Sequence, residues 1–291
     1  DLEELGVLTQ PHPSAGRLPT SLGYRLYVDD LMQAEDLTEE EKKLIHAHLE
    51  AVYPRVDELM EQVSSLLAEV SRLLGFIMEP DISSGVLEKV EIVQVAEGRV
   101  VLLIIVRSGL VKSIMLELNA SIRDEEIAQA RRLINQRLTG LRLTDIPQKV
   151  HERLSGEWAS SNPVIRLVME FPEKVFSTEN RGEVHIGPTS HIIEQPEFAH
   201  LKRIKGIIEL LDNKDIIVHL LKDQTEGVKV TIGEENPEEE LKDFSVITST
   251  YRIGDVSGTL GIIGPMRMNY AKLISLVNYT AQLVSQRISQ R

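Results

Sequence analysis

From Ile45 the apolar positions fall at Ile45, Leu49, Val52, Val56, Leu59, Val63, Leu66, Val70 and Leu73, in alternating steps of four and three. That spacing predicts a long amphipathic helical stretch with a seam of about 3.5 residues, the period of helices that pack along their length. Leu44, Met60, Leu67 and Leu74 widen the stripe, and Pro54 must kink or restart the helix because it has no amide hydrogen to give. The seam fits either a helical hairpin packed on its own domain or a face shared with a second subunit. "TEEE" at Thr38 supplies a capping box at its start, with Thr38 bonding the Glu41 amide while Glu41 reaches back.

After "GFIMEPDISSG" the period changes. "VLEKVEIVQV", "RVVLLIIVRSG" and "LVKSIMLEL" are rich in Val, Ile and Leu and are separated by "AEG" and Gly109. They predict an antiparallel meander whose middle strand, apolar on both faces, is central. A helix capped at Ser121, with Asp124 three residues on, carries Ile127, Arg131, Ile134 and Leu138; Pro147, Pro163 and Pro172 break the stretch that follows to about Phe176. "GEVHIGPTSHIIEQPEF" holds a short strand, and "EFAHLKRIKGIIELLD" and "KDIIVHLLKD" read as helices. Strands "GVKVTIG", "FSVITSTYRIG" and "VSGTLGIIG" come next, then a terminal helix from about Met268. Strands on both sides of a mostly helical stretch describe an α+β domain with another segment inserted in it.

The first residues follow a different rule. "DLEELG" reads as the last turn of a helix stopped by Gly6, and Val7–Gln10 with a returning "RLP" make a loose hairpin around Pro11, Pro13 and Gly16. Thr20 or Ser21 then caps a short helix carrying Tyr24, Tyr27, Val28 and Leu31. A Pro/Ser/Gly/Arg knot of this kind is costly to order and buries little, which suits a part built to touch something.

Length and composition narrow the classes. The chain has 291 residues, 42% of them hydrophobic and 26% charged, enough for two or three compact units. Its longest uncharged apolar run, "VVLLIIV", is strand length, and no leader pattern opens the chain, so a cytoplasmic home is expected. It contains no Cys, which removes disulfides, thiol catalysis and cysteine zinc sites. The net charge of -13 has the wrong sign for a surface that binds nucleic acid everywhere, so any DNA contact must be local.

Candidate chemistry is sparse. His46 and His48 point to different faces of a helix and are expected to be solvated. His185, His191 and His200, with Glu194 or Glu197, approach a metal-ligand composition without a recognised spacing. "GDVSG" at Gly254 is a hairpin turn rather than a nucleophile elbow, adjacent Asp29 and Asp30 diverge, and there is no phosphate-binding glycine pattern. Trp158 reads as a packing anchor, and the sequons at Asn119 and Asn278 mean nothing without a secretory route. No enzyme, no cofactor and no metal are expected.

Two strings remain, "LEELGVLTQPHPSAGRLPTSLGYRLYVD" and "GTLGIIGPMRMNYAKLISLVNYTAQLVS". Both resemble signatures of the HrcA family of heat-inducible transcription repressors. "SAGRLPT" and "GPMRMNY" are the most distinctive, "PEF" and "IGEEN" agree more weakly, and the resemblance covers nearly the whole chain. It implies an α+β protein made of a partial winged helix-turn-helix, linker helices and a GAF-like antiparallel-sheet domain with an inserted, mostly helical dimerisation domain. The boundaries expected are 1–34 for the winged-helix remnant and 35–75 for linker and dimerisation helices. Residues 76–118 plus 197–291 are expected to form the GAF-like domain, and 119–196 the insertion.

The resemblance further implies repression of groE- and dnaK-type chaperone operons by a homodimer on double-stranded DNA, at the inverted repeat called CIRCE. The GroE chaperonin would modulate its activity. The hairpin becomes the wing, with His12, Ser14, Arg17 and Thr20 as DNA-contacting candidates, and Ile45, Leu49, Val52, Val56, Leu59, Val63, Leu66 and Val70 become the candidate dimer seam. Most of the family's recognition helix should lie before Asp1, leaving only "DLEEL", so the chain as given is expected to dimerise but bind operator poorly. The alternative is a GAF-like ligand-sensing or protein-interaction module with no DNA binding of its own.

Overall fold

The structure, a computed structural model, describes residues 2–10, 16–50, 56–118, 121–156, 161–176, 183–196, 201–221 and 227–289. Along the chain come β1 (Leu8–Thr9), β2 (Leu18–Pro19), α1 (Ser21–Leu26), α2 (Glu39–Glu50), α3 (Val56–Ser71) and β3 (Leu74–Met78). Next are β4 (Leu87–Ala96), β5 (Arg99–Val106), β6 (Val111–Glu117), α4 (Asp124–Leu138), α5 (Ile146–Leu154), α6 (Pro163–Glu170) and α7 (Pro172–Phe176). The chain closes with β7 (Val184–Ile186), α8 (Ser190–Ile193), α9 (Leu201–Asp212), α10 (Asp215–Leu220), β8 (Val228–Ile232), β9 (Phe244–Ile253), β10 (Val256–Pro265) and α11 (Tyr270–Ser289). It divides into two compact units: Asp1–Glu79 with Glu183–Tyr251 and Gly258–Arg291, and Pro80–Gly182 with Arg252–Ser257.

The first unit is built on a five-stranded sheet in the order β7-β3-β10-β9-β8, in which β3 runs antiparallel to β10 and β7, and β8 to β9. One face of it carries Leu74, Phe76, Val246 and Ile263, which join Ile207, Ile216, Ile217 and Leu220 of α9 and α10 in a dry core. On the other side α3 lies over β3 and β7, and α11 contacts α3 and β8. Helices on both faces explain why the two central strands, β9 and β10, are buried almost throughout, with no alternation to solvent. Thr38 and Glu41 form the expected capping box at the start of α2, Glu41 N donating to Thr38 Oγ1 at 3.2 Å and Thr38 N donating to Glu41 Oε2 at 3.0 Å.

The second unit has its own three-stranded sheet, in the order β4-β5-β6, with α4, α5, α6 and α7 supplying the rest of its core. Val90, Ile92, Leu102 and Ile104 point inward to Ala130, Ile134, Val150, Val168 and Phe176. The opposite face is mixed: the cross-strand row Val93–Val101–Met115 and the pair Ile105–Val111 lie on it among Lys89, Glu91 and Ser113, with Val93, Val111 and Met115 47%, 52% and 56% exposed. The meander is present with β5 as its central strand; among the described residues its strands form a three-stranded sheet of their own, and their inward side chains share a core with the helices that follow.

Ile45, Leu49, Leu59, Val63 and Leu66 are buried within the chain itself, and Val56 and Val70 are half-buried. Val52 and Pro54 lie outside the described residues, as do Asn119, Trp158 and Phe198. The helix expected to be capped at Ser121 starts at Asp124, where the Glu126 carboxylate accepts from Arg123 N at 2.9 Å and supplies the cap.

Candidate nucleic-acid element and its anchor

The short strands β1 and β2 pair antiparallel, Leu8 opposite Pro19 and Thr9 opposite Leu18, and Gly6 precedes them in the left-handed conformation at φ 70°. Arg17 stands on the returning arm with its side chain 55% exposed, and its Nε donates to Glu3 Oε1 at 3.1 Å. Thr20 is the N-cap of α1: its Oγ1 donates to Gly6 O at 2.6 Å and accepts from Gly23 N at 3.2 Å. Its hydroxyl therefore works inside the chain, tying hairpin to helix. His12 and Ser14 lie outside the described residues.

α1 is fixed from both sides. A Cβ on Gly23 would fall 2.3 Å from Val7 O, so only glycine lets the helix lie this close to the hairpin. On its other side Arg25 donates from Nε to Glu235 Oε1 at 2.7 Å, from Nη2 to Val230 O at 2.7 Å, and from Nη1 to Asp29 Oδ1 at 3.2 Å. A second ion-pair contact joins Nη2 to Glu235 Oε2, which makes the fork bidentate. The hydrogen bond to Glu235 holds the guanidinium well above its ordinary pKa, against the lowering effect of partial burial.

Glu235 belongs to the turn "IGEEN", Ile232 to Asn236, at the end of β8. Its carboxylate also accepts from Ile232 N at 2.9 Å. Asn236, 2% exposed, braces the turn by donating to Gly233 O, Leu241 O and Phe244 O and accepting from Thr231 Oγ1 at 2.6 Å. Gly233 has φ 54°, and a Cβ there would lie 2.2 Å from Ser21 Oγ, so the turn receives the first residue of α1 where its own side chain would be.

The third component is "GPMRMNY", Gly264 to Tyr270. Tyr24 of α1 meets Tyr270 with ring centroids 6.0 Å apart, and Ser21 Oγ reaches Met266 Sδ at 3.5 Å. The Tyr270 hydroxyl contacts Ser245 Oγ at 2.7 Å and donates to Met266 O at 2.6 Å, and burial raises its pKa. Asn269 Nδ2 bonds Glu35 Oε2 at 3.2 Å, beyond the π-helical turn Tyr27–Leu31 that continues α1. Two strings that lie more than two hundred residues beyond α1 thus meet it at one joint. A cleft of about 260 Å³ lined by Leu18, Pro19, Tyr24, Asp243, Pro265, Met266 and Arg267 borders it.

Away from the joint, this N-terminal element is apolar and open: Leu2, Leu5, Leu22 and Leu31 are 51%, 67%, 49% and 72% exposed. The histidines are dispersed. His46 Nε2 bonds Tyr279 OH at 2.9 Å rather than standing in solvent, and His48 Nε2 lies 3.4 Å from Glu69. His191 Nδ1 lies 3.0 Å from Arg72 Nη1, far in role from His185, which pairs with Glu79; His200 and Glu197 lie outside the described residues. "GDVSG" forms the β9–β10 turn, with Asp255 accepting from Ser108 N at 3.0 Å. Among the described residues, no helix is long and apolar enough to cross a membrane.

Residues 57–274 match the family model "HrcA protein C terminal domain". The chain is 35% identical over 289 residues to the heat-inducible transcription repressor HrcA of Symbiobacterium thermophilum, covering 98% of this chain and 85% of that protein. The chain belongs to the HrcA family. The HrcA of Acetivibrio thermocellus is 32% identical over 294 residues, covering 100% of this chain and 84% of that one. A solved structure titled "Crystal structure of a hypothetical protein at 2.2 A resolution" superposes with a TM-score of 0.52 at 18% identity, over 99% of this chain and 84% of its own. It supports the mixed α+β fold of this HrcA-family chain.

Proposed function

We propose that this HrcA-family chain is a transcription repressor of heat-shock genes, not an enzyme, acting in the cytoplasm as a homodimer on double-stranded DNA. The observation that carries the reading is the joint: a hairpin and helix of winged-helix pattern are docked on the body of the molecule through the Arg25–Glu235 fork. A small exposed hairpin held this firmly is an element for presenting to a large partner. Arg17, its side chain 55% exposed and paired with Glu3, is the candidate for meeting phosphate or entering the minor groove among the described wing residues.

For the homodimer, the outer face of β4–β6, with Val93, Val111 and Met115 each about half exposed, is a candidate surface beside the helical seam. A two-fold dimer suits an inverted-repeat operator, here the CIRCE element of groE- and dnaK-type operons, with the GroE chaperonin as modulator. The test is a reporter under a CIRCE-bearing promoter in cells lacking their own repressor. The chain, extended at its N-terminus by a family recognition helix, should silence the reporter at low temperature and release it after heat shock. Equal expression with and without the protein would overturn the reading.

A further inference from the structure

Glu79 is the last residue of the first unit before the chain leaves it, and Glu183 is the first on its return. Glu79 N donates to Glu183 O at 3.0 Å, extending the ladder in which Met78 faces Val184 and Ile77 faces His185. Side chains alternate along a strand, so Glu183 and His185 share one face of β7, with Glu79 directly across from Glu183. One ligand atom from each of Glu79, Glu183 and His185 lies within 4.8 Å of the other two. The His185 side chain is only 10% exposed, with Nε2 3.2 Å from Glu79 Oε1.

Two carboxylates directly opposite on antiparallel strands repel each other, and a buried imidazole aimed between them is not an arrangement that packing alone demands. The cleft of about 410 Å³ beside them adds three more carboxylates, Asp57, Glu58 and Glu61 from the first turns of α3. Lys214 is the cation that also lines this cleft, and its Nζ donates to Val184 O at 3.0 Å.

We infer that Glu79, Glu183 and His185 form a binding site for a divalent transition-metal ion. Donor atoms around one zinc ion stand about 3.3 Å apart, so a modest rotation of the exposed Glu183 closes the set. An imidazole nitrogen with two carboxylate oxygens selects Zn²⁺ or its first-row neighbours over Mg²⁺ and Ca²⁺, and it leaves outer positions for water or an α3 carboxylate. Bound there, the ion ties the end of β3 to the start of β7, the two strand ends between which the inserted unit departs and returns. The joint at Arg25 plays no part in it, so the site stands apart from the repressor reading.

The experiment is isothermal titration of the chelator-treated full chain with Zn²⁺, and with Mg²⁺ for contrast. One Zn²⁺ per chain is expected, with no saturable uptake of Mg²⁺. His185→Ala and Glu183→Gln should each weaken Zn²⁺ by at least about tenfold, while His48→Ala, in a histidine outside the cluster, should bind as the parent does. If His185→Ala does not fold, Glu183→Gln decides. A parent chain that takes up no stoichiometric zinc, or a folded variant of the pair that binds as tightly as the parent, overturns the assignment.

Discussion

Removing the guanidinium of Arg25 should free α1 from the body without unfolding the rest. In the joint the fork makes two charge-assisted contacts with Glu235 and one with the Val230 carbonyl, and its side chain is 26% exposed against 34% for Glu235. Hydrogen bonds to charged groups contribute about 1.5–3 kcal/mol when sheltered and about 0.2–1 kcal/mol when exposed, so about 2 kcal/mol is the expected loss for this half-sheltered set. Because α1 is short and peripheral, the loss falls on local opening rather than on global unfolding. Amide hydrogen exchange at Gly23, Tyr24 and Met32, whose N–H groups bond to Thr20 Oγ1, Thr20 O and Tyr27 O, reads that opening. In Arg25→Ala these amides should exchange about 30-fold faster, since each 1.4 kcal/mol is a factor of about ten. Amides in α4 should not change. Glu235→Gln should give a smaller increase, and the double variant should add little to Arg25→Ala. A change under about threefold at all three amides would refute the claim that this fork holds the element down.

Gly233→Ala should loosen the same joint by about 1–3 kcal/mol, since the new methyl meets Ser21 in a left-handed turn, and should lower the temperature at which Tyr24 becomes accessible. Met115→Lys, on the outer sheet face, should convert dimer to monomer in sedimentation with the thermal midpoint of the monomer kept; a variant that stays dimeric places the contact elsewhere. Leu59→Asp should instead cost about 3–5 kcal/mol of folding, because Leu59 is 5% exposed inside its own subunit; a folded monomer would restore the shared seam. Glu41 is held below the usual carboxylate range by its hydrogen bond to Lys272 and by the Thr38 amide. Its contribution is therefore complete above its unfolded pKa and is lost as pH falls through the lower folded value, so Glu41→Gln should flatten the acid limb of the stability curve.

Local chemistry was legible from sequence. The Thr38–Glu41 box, the loose hairpin, the three-strand meander and the terminal helix each rest on neighbours a few residues apart, and each is present. β3 was not, because "LLGFIM" is apolar throughout and carries no period to separate it from the helix before it. The seam was legible as a helix but not as to its partner: burial in one's own core and burial against a second chain demand the same residues. Arg25 and Glu235 lie 210 positions apart, and Glu79 lies 106 from His185. Pairings of that range have no local signature. Only the unusual strings "SAGRLPT", "IGEEN" and "GPMRMNY" marked their neighbourhoods, and the joint accounts for the last two by bringing them onto α1.

Fluorescence anisotropy on a labelled CIRCE duplex and a scrambled duplex of equal composition tests DNA repression most directly. The chain extended by a family recognition helix should prefer the palindrome, with affinity falling steeply as salt rises because phosphate contacts release counterions. Arg17→Ala should weaken both duplexes and shallow that salt dependence. Equal affinity for the two duplexes at every salt concentration would contradict sequence-specific repression and leave this HrcA-family body as a sensing or interaction module.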